Sequence, residues 1–370
     1  ADPHLPRKLA EGRPRDVLPC IYCYTCISAI YMNASARCAV NPATGFEYLH
    51  TDAPTAPRER ASLAARKRVV VIGGGPGGME AARRLDLAGH DVVLLEKGAR
   101  LGGTLRFAAL AYAANERLLD WLVCQLGASR VDVRLGVEAT PEAVRALRPD
   151  AVVVATGARR AMPPIPGSDQ PHVLSGDDMR ALMMGQPSED LKRKTGWLAR
   201  TATRIGAASG LTDNLEFVRR ATRQWMPLGR DVVIIGGELV GLELAEFLGE
   251  RGRTISVIDE QERFGRGLTI VRRMRLVEEL KEHGIALHPG ASGIRIDADA
   301  VRFSNAEGDA VAVPCDQVIV AQGASADTDL ADRLRADGLA VHTVGDVTGV
   351  TYIEGAMRGA AEAVDAIVRT

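Results

Sequence analysis

The sequence predicts an α/β protein with two Rossmann-like, doubly wound dinucleotide-binding domains preceded by an irregular cysteine-rich segment. Three observations predict it. A short β-branched strand runs into glycines at the G-x-G-x-x-G spacing at Val69–Gly78, a second unit of the same pattern occupies Val232–Gly241, and four of the six cysteines fall between Cys20 and Cys38. Composition agrees: 38 glycines and 4% aromatic residues suit nucleotide-binding α/β architecture better than a β-sandwich.

The opening stretch, Ala1 to Gly12, begins without a cap or strand of its own and reads like the tail of something larger. Cys20, Cys23, Cys26 and Cys38 follow in a C-x2-C-x2-C-x11-C array. Closely spaced thiolates can wrap three corners of a cube, and a fourth arriving from a separate turn closes it, as in [4Fe–4S] ligation. Structural zinc more often uses two separated C-x2-C knuckles, and disulfides require an oxidising compartment that nothing else in the sequence suggests; both remain alternatives. Cys124, in an amphipathic helical stretch, and Cys315, before an apolar strand, read as buried small hydrophobes.

Residues 66–180 form the first dinucleotide domain. Val69–Ile72 suits a strand buried on both faces. Gly73 permits the tight turn, Gly75 lets backbone approach a pyrophosphate, and Gly78 lets the next helix pack closely. Pro76 sits at the helix start, where a missing N–H costs little and neighbouring N–H groups can face an anion. The strand Asp91–Glu96 ends in an acid about twenty residues on, the usual partner of a ribose hydroxyl. Leu101-Gly102-Gly103-Thr104, the strand end at Thr156-Gly157 and the late Gly345-Asp346 resemble the flavin signatures of two-dinucleotide-domain flavoprotein reductases. Taken singly, the last two are also ordinary strand-end turns.

Residues 181–228 read as an insertion of two amphipathic helices around a Gly/Ser-rich turn at Gly206–Gly210, with Leu191, Trp197, Leu198, Ile205, Leu215, Phe217, Val218 and Trp225 as apolar positions. It is either a solvent-covered packing pair or a lid or docking surface. The second dinucleotide domain spans 229–322, with Gly236, Gly237 and Gly241 in its fingerprint. Glu238 stands where the pattern places its second glycine, and a carboxylate there opposes a pyrophosphate by bulk and charge. The following strand nevertheless ends in Asp259, which accepts a ribose 2′-hydroxyl and repels a 2′-phosphate, so NADH is favoured over NADPH. Residues 323–370 return to the first domain, and Gly355–Ala361 is expected to open the last helix, whose N-terminal dipole can face a flavin ring. Either that helix start serves the flavin or it is a plain small-residue packing helix.

Cys20-Ile21-Tyr22-Cys23-Tyr24-Thr25-Cys26, then Cys38-Ala39-Val40-Asn41-Pro42, then the Gly73 fingerprint, resembles the C-terminal half of the iron–sulfur flavoproteins of the old yellow enzyme family, the 2,4-dienoyl-CoA reductase and trimethylamine dehydrogenase type. The resemblance covers essentially the whole chain and implies a glutathione-reductase-like pair of domains behind a [4Fe–4S] cluster segment at 1–65. It implies FAD on Gly73, Gly75, Gly77, Gly78, Glu96, Lys97, Gly102, Gly103, Thr104, Thr156, Gly157, Gly345, Asp346, Ala356 and Met357. It likewise implies NAD(H) on Gly236, Gly237, Gly241 and Asp259, the cluster on the four cysteines, and FMN in a (β/α)8 barrel domain or partner chain. No side chain is singled out as catalytic. The implied activity is electron relay from NADH through FAD and the cluster to FMN, which reduces an enoyl-type double bond. The alternative in the same architecture is an amine or demethylating dehydrogenase that passes electrons outward to an electron-transfer flavoprotein. A non-catalytic nucleotide-binding or assembly subunit is favoured if Glu238 disables the second site. The net charge of −1, with both signs interspersed, argues against nucleic acid or an anionic membrane as partner. With no leader pattern and no apolar run of about eighteen residues, a cytoplasmic protein is expected; an oligomer is expected as well.

Overall fold

The computed structural model describes residues 2–50, 66–184, 194 and 214–369. Within them the chain divides into two compact units. The first contains residues up to Arg106, Ala113–Arg159 and Ala324 onward; the second contains Phe107–Tyr112 and Arg160–Gly323.

The first unit is a five-stranded sheet in the order Val341–Thr343, Ala151–Val154, Arg68–Ile72, Asp91–Glu96, Asp132–Leu135. Every neighbouring pair is parallel, with Ile72 opposite both Leu95 and Val154. Val69–Ile72 and Val152–Val154 in its central strands are β-branched and buried, as sequence without polar alternation requires when helices cover both faces. Val70, Ile72, Val93, Leu95, Val152 and Val154 make the core of one face. The helix Pro76–Leu87 packs with Ala114–Gly127 and with the final helix Tyr352–Arg369. That last helix starts at Tyr352 rather than at Gly355, the Gly355 N–H already closing its first turn onto Thr351 O at 3.0 Å.

The second unit repeats the plan. Its sheet runs Val173–Ser175, Gln317–Val320, Asp231–Ile235, Thr254–Ile258, Ala286–His288, again parallel, with Ile235 opposite Ile258 and Val320. A three-stranded antiparallel meander, Ser292–Ile296, Ala300–Ser304 and Ala310–Pro314, is added to it. Of the insertion expected at 181–228, the helix Leu215–Gln224 is described, with Leu215 and Val218 buried and Phe217 and Trp225 exposed. Leu191, Trp197, Leu198, Ile205 and the Gly206–Gly210 turn lie outside the described residues. Cys315 is buried as expected, but Cys124 is exposed. On Ala114–Gly127 the inward positions are Leu118, Leu119, Trp121, Leu122 and Leu126, and 124 falls on the outward face. Among the described residues no helix is long and apolar enough to cross a membrane.

Candidate functional site

In the first unit the expected flavin residues converge at the carboxyl ends of the strands, where open α/β sheets bind their ligands. Gly73 leaves its strand at φ +103°, and an added Cβ would stand 2.4 Å from the Ala155 carbonyl oxygen. Gly78 is tighter still, since its Cβ would lie 1.9 Å from the Gly73 oxygen. Gly77 would meet Val344 Cγ1 at 2.8 Å and the Ala356 oxygen at 3.3 Å, so the Gly345–Asp346 turn and the stretch Ala356–Met357 close on the fingerprint helix. Thr156 and Gly157 continue from Ala155, whose N–H donates to Ile72 O at 2.8 Å. Gly102 N–H donates to Gly74 O at 2.7 Å, and a Cβ on Gly103 would sit 3.1 Å from Gly75 Cα. Thr104 opens the helix Thr104–Ala111, and Lys97 is exposed beyond Glu96.

Gly75 differs from its neighbours. Its backbone, at φ −73° and ψ −179°, is open to any residue, and among the described residues nothing lies within 4 Å of a Cβ built on it. No described protein atom therefore explains a glycine here. A ligand that comes close to the backbone at a helix N-terminus does, which is the fit expected for a dinucleotide pyrophosphate. Two acids brace turns of this unit. Glu96 accepts from the N–H groups of Gly74 and Gly98, each at 2.6 Å, so it braces the glycine turn with its carboxylate. Asp346 Oδ1 accepts from the Thr351 N–H at 2.7 Å and from its hydroxyl at 3.2 Å, a positioning partner that sequence reading missed.

The second unit reproduces the backbone plan of this turn. Gly236 N–H donates to Ile258 O at 2.9 Å as Gly73 N–H does to Leu95 O at 2.8 Å, and Gly241 packs against the Gly236 oxygen as Gly78 packs against Gly73. Asp259 takes the place of Glu96, accepting from the N–H groups of Gly237 and, at 2.8 Å, Gln261. It is only 3% exposed, and its visible task is to hold the turn. Glu238 occupies the Gly75 position in the same backbone conformation, φ −83° and ψ −174°, with its side chain exposed.

The cysteine segment is packed into the first unit, with the Trp121 indole N–H donating to Asp16 O at 3.2 Å and Lys8 bound to Asp2 at 2.6 Å. Tyr22 and Tyr24, between the cysteines, adopt left-handed backbone at φ 54° and 59°, so the chain turns sharply there. Tyr22 N–H points to Cys20 Sγ at 3.4 Å. Burial pushes the Cys38 thiol up, the N–H groups of Val40 and Asn41 pull it down, and Cys23 adds to the rise. Backbone donors aimed at cysteine sulfur are the surroundings a thiolate-held cluster uses to tune itself, so the donor chemistry fits. Among the described residues no three His, Cys, Asp or Glu side chains are grouped to hold a metal ion, so the four cysteines are not themselves drawn into a ligand set.

Sequence reading also missed two buried ionic groups at the same place in each repeat. Burial raises the Glu80 carboxyl, but Arg83 and Arg84, at 2.8 and 2.6 Å, outweigh it and hold the group below its usual range, with Arg83 stacked 5.0 Å over Trp121. Its counterpart Glu243 is pushed up to about 7, because burial outweighs Arg272 at 3.4 Å and Glu246 adds a like charge. Arg272 in turn stacks 4.6 Å over Tyr112. The sequence signal was present in both helices, a glutamate two residues past the last fingerprint glycine.

Fold and site together define a duplicated dinucleotide-binding oxidoreductase. The chain belongs to the pyridine nucleotide-disulphide oxidoreductase family, whose pattern matches residues 67–349. It is 34% identical over 349 residues to a bilirubin reductase of Mediterraneibacter gnavus, a match covering 94% of this chain and 46% of that one. It is 30% identical over 360 residues to an NADH oxidase of Thermoanaerobacter brockii, covering 95% and 48%. Among solved structures, a 2-naphthoyl-CoA reductase in complex with 2-naphthoyl-CoA superposes with a TM-score of 0.79 at 26% identity, covering 98% of this chain and 48% of that one. The chain thus spans about half the length of these relatives.

Proposed function

We propose that this chain is the electron-relay module of a larger flavoenzyme. It takes reducing equivalents from NADH and passes them by way of FAD and a [4Fe–4S] cluster to FMN in a (β/α)8 barrel, where an enoyl-type double bond is reduced. The observation that supports the flavin part is the open space at Gly75, in a tight glycine turn where Gly78 packs on Gly73 and Gly103 on Gly75. FAD supplies hydride acceptance coupled to single-electron release, which the protein's own side chains do not provide. The chain's residues would bind and orient it: Gly75 would admit the pyrophosphate, Glu96, which holds the turn, would take the ribose, and Asp346, fixed by Thr351, would meet the flavin's polyol chain. Cys20, Cys23, Cys26 and Cys38 are the cluster thiolates, with the N–H groups of Tyr22, Val40 and Asn41 turned toward sulfur. Relatives named as an NADH oxidase and as reductases support the direction of flow.

One observation favours a second reading. Glu238 opposes a nucleotide in the second cradle, and a chain that cannot use NADH would instead pass electrons outward from the cluster to an electron-transfer flavoprotein. Anaerobic reconstitution with FAD, iron and sulfide tests the proposal: roughly four iron and four sulfide per chain and one FAD are expected. A preparation that takes up FAD but only one tightly held zinc sinks the cluster assignment.

A further inference from the structure

The two cradles match closely enough to be compared residue by residue. Gly102 N–H donates to Gly74 O at 2.7 Å and Gly265 N–H to Gly237 O at 2.7 Å; Leu105 N–H donates to Gly102 O at 3.0 Å and Leu268 N–H to Gly265 O at 3.1 Å. A Cβ on Gly74 would strike Leu101 at 2.7 Å, and one on Gly237 would strike Phe264 at 2.1 Å. The loop after the second strand is therefore in register, and Gly103 corresponds to Arg266.

That correspondence matters because Gly103 and Gly75 face one another in the first unit, a Cβ on Gly103 standing 3.1 Å from Gly75 Cα. There glycine backbone lies directly against glycine backbone, while the Cβ direction of Gly75 stays open. In the second unit both of these positions have changed, to Glu238 and Arg266, which carry opposite charges. The loop accommodates the larger residue by taking its left-handed turn one residue later, at Gly267 with φ 81°, where Gly103 took it at 51°. Both side chains are exposed, and the Arg266 guanidinium donates to Gln261 Oε1 at 2.7 Å.

Resting on the assignment of NAD(H) to the second unit, we infer that Arg266 is a pyrophosphate ligand of that unit, a substitution that offsets the Glu238 carboxylate and lets a nucleotide bind beside it. The chemistry suits the task. A guanidinium presents paired N–H donors to phosphate oxygens, and its charge is permanent, so it can neutralise Glu238 and attract the diphosphate together. Without it a diphosphate entering the cradle meets an unscreened like charge.

The test is calorimetric binding of NADH and of ADP-ribose to the FAD-loaded full chain, which reads affinity independently of turnover. Arg266→Ala is expected to weaken both ligands about tenfold or more, the scale of a lost hydrogen bond to a charged group. Arg263→Ala, at another exposed arginine of the same loop, serves as the control for net charge and is expected to change binding at most two- to threefold, roughly a screened surface charge. In a Glu238→Gly background, which itself binds more tightly, the loss from Arg266→Ala is expected to shrink, because part of the arginine's role is gone. Equal losses from Arg266→Ala and Arg263→Ala, or an unchanged loss in the Glu238→Gly background, overturn the inference. Absence of NADH binding in every variant, Glu238→Gly included, overturns instead the assignment of the nucleotide to this unit, and the inference falls with it. Unfolding curves of Arg266→Ala that match the parent exclude a folding defect as the cause of any loss.

Discussion

Two glycines of one fingerprint should fail in opposite ways. Gly78→Ala places a Cβ 1.9 Å from the Gly73 carbonyl oxygen, a backbone atom that cannot rotate aside, so helix and strand must separate. Overpacking of this kind costs about 1–3 kcal/mol, and contact with rigid backbone puts it toward the upper end. For a unit of this size about 3 kcal/mol lowers Tm by roughly 6–12 °C. Gly75→Ala meets nothing within 4 Å and needs no unusual backbone, so the FAD-free protein should unfold within about 1 kcal/mol of the parent, the loss of a glycine N-cap being offset by a less flexible unfolded chain. The same alanine stands where the pyrophosphate must approach. Losing two charge-assisted contacts there is worth about 3 kcal/mol or more, which weakens FAD by at least roughly a hundredfold. Thermal unfolding of the FAD-free proteins, paired with flavin titration, separates the two. A Gly75→Ala protein that keeps the parent's FAD affinity, or that melts as early as Gly78→Ala without flavin, refutes the reading of this cradle.

Further outcomes follow from the same structure. Cys38→Ala should lose its iron, measured by metal analysis, while retaining FAD, because the thiol loop and the glycine cradle share no residue; a variant with full iron content contradicts the ligand assignment. Glu243, pushed up to about 7 from 4.5, stays protonated in the fold while ionised in the unfolded chain, so stability falls as pH rises between those values, by on the order of 3 kcal/mol. Glu243→Gln should flatten that decline in denaturant unfolding at pH 5 and pH 8, and an unchanged slope would show that another group is responsible. NADH should bleach the flavin much faster than NADPH in stopped flow. Because Asp259 also braces the Gly237 and Gln261 N–H groups, Asp259→Asn, which keeps the shape, is the variant expected to narrow the gap; equal rates in the parent protein contradict the selectivity.

The duplicated α/β fold was legible from the chain because its determinants are local. Val69–Ile72 and Val232–Ile235 are β-branched runs that only a doubly covered strand buries, and the glycines after them are fixed by contacts a few residues away, such as Gly78 against Gly73. What was less legible depended on contacts distant in sequence. The exposure of Cys124 rests on which helix face meets the core, and the raised Glu243 on its burial in the fold, which Arg272 from another helix only partly offsets. Glu238 was visible at once as a departure, but Arg266 became its counterpart only when the two cradles were brought into register. The left-handed turns at Tyr22 and Tyr24 are residue types that give no warning of positive φ.

The central claim is that electrons enter this module from NADH and reach the thiol-bound cluster by way of the flavin. Anaerobic titration of the reconstituted full chain with NADH, followed simultaneously by flavin absorbance and by low-temperature electron paramagnetic resonance, tests it most directly. The account predicts that the flavin bleaches and that the signal of a reduced [4Fe–4S] cluster then grows, with both lost when Gly75 is replaced by Ala. A flavin that stays oxidised under excess NADH, in a protein whose FAD and cluster are both reduced by dithionite, contradicts it.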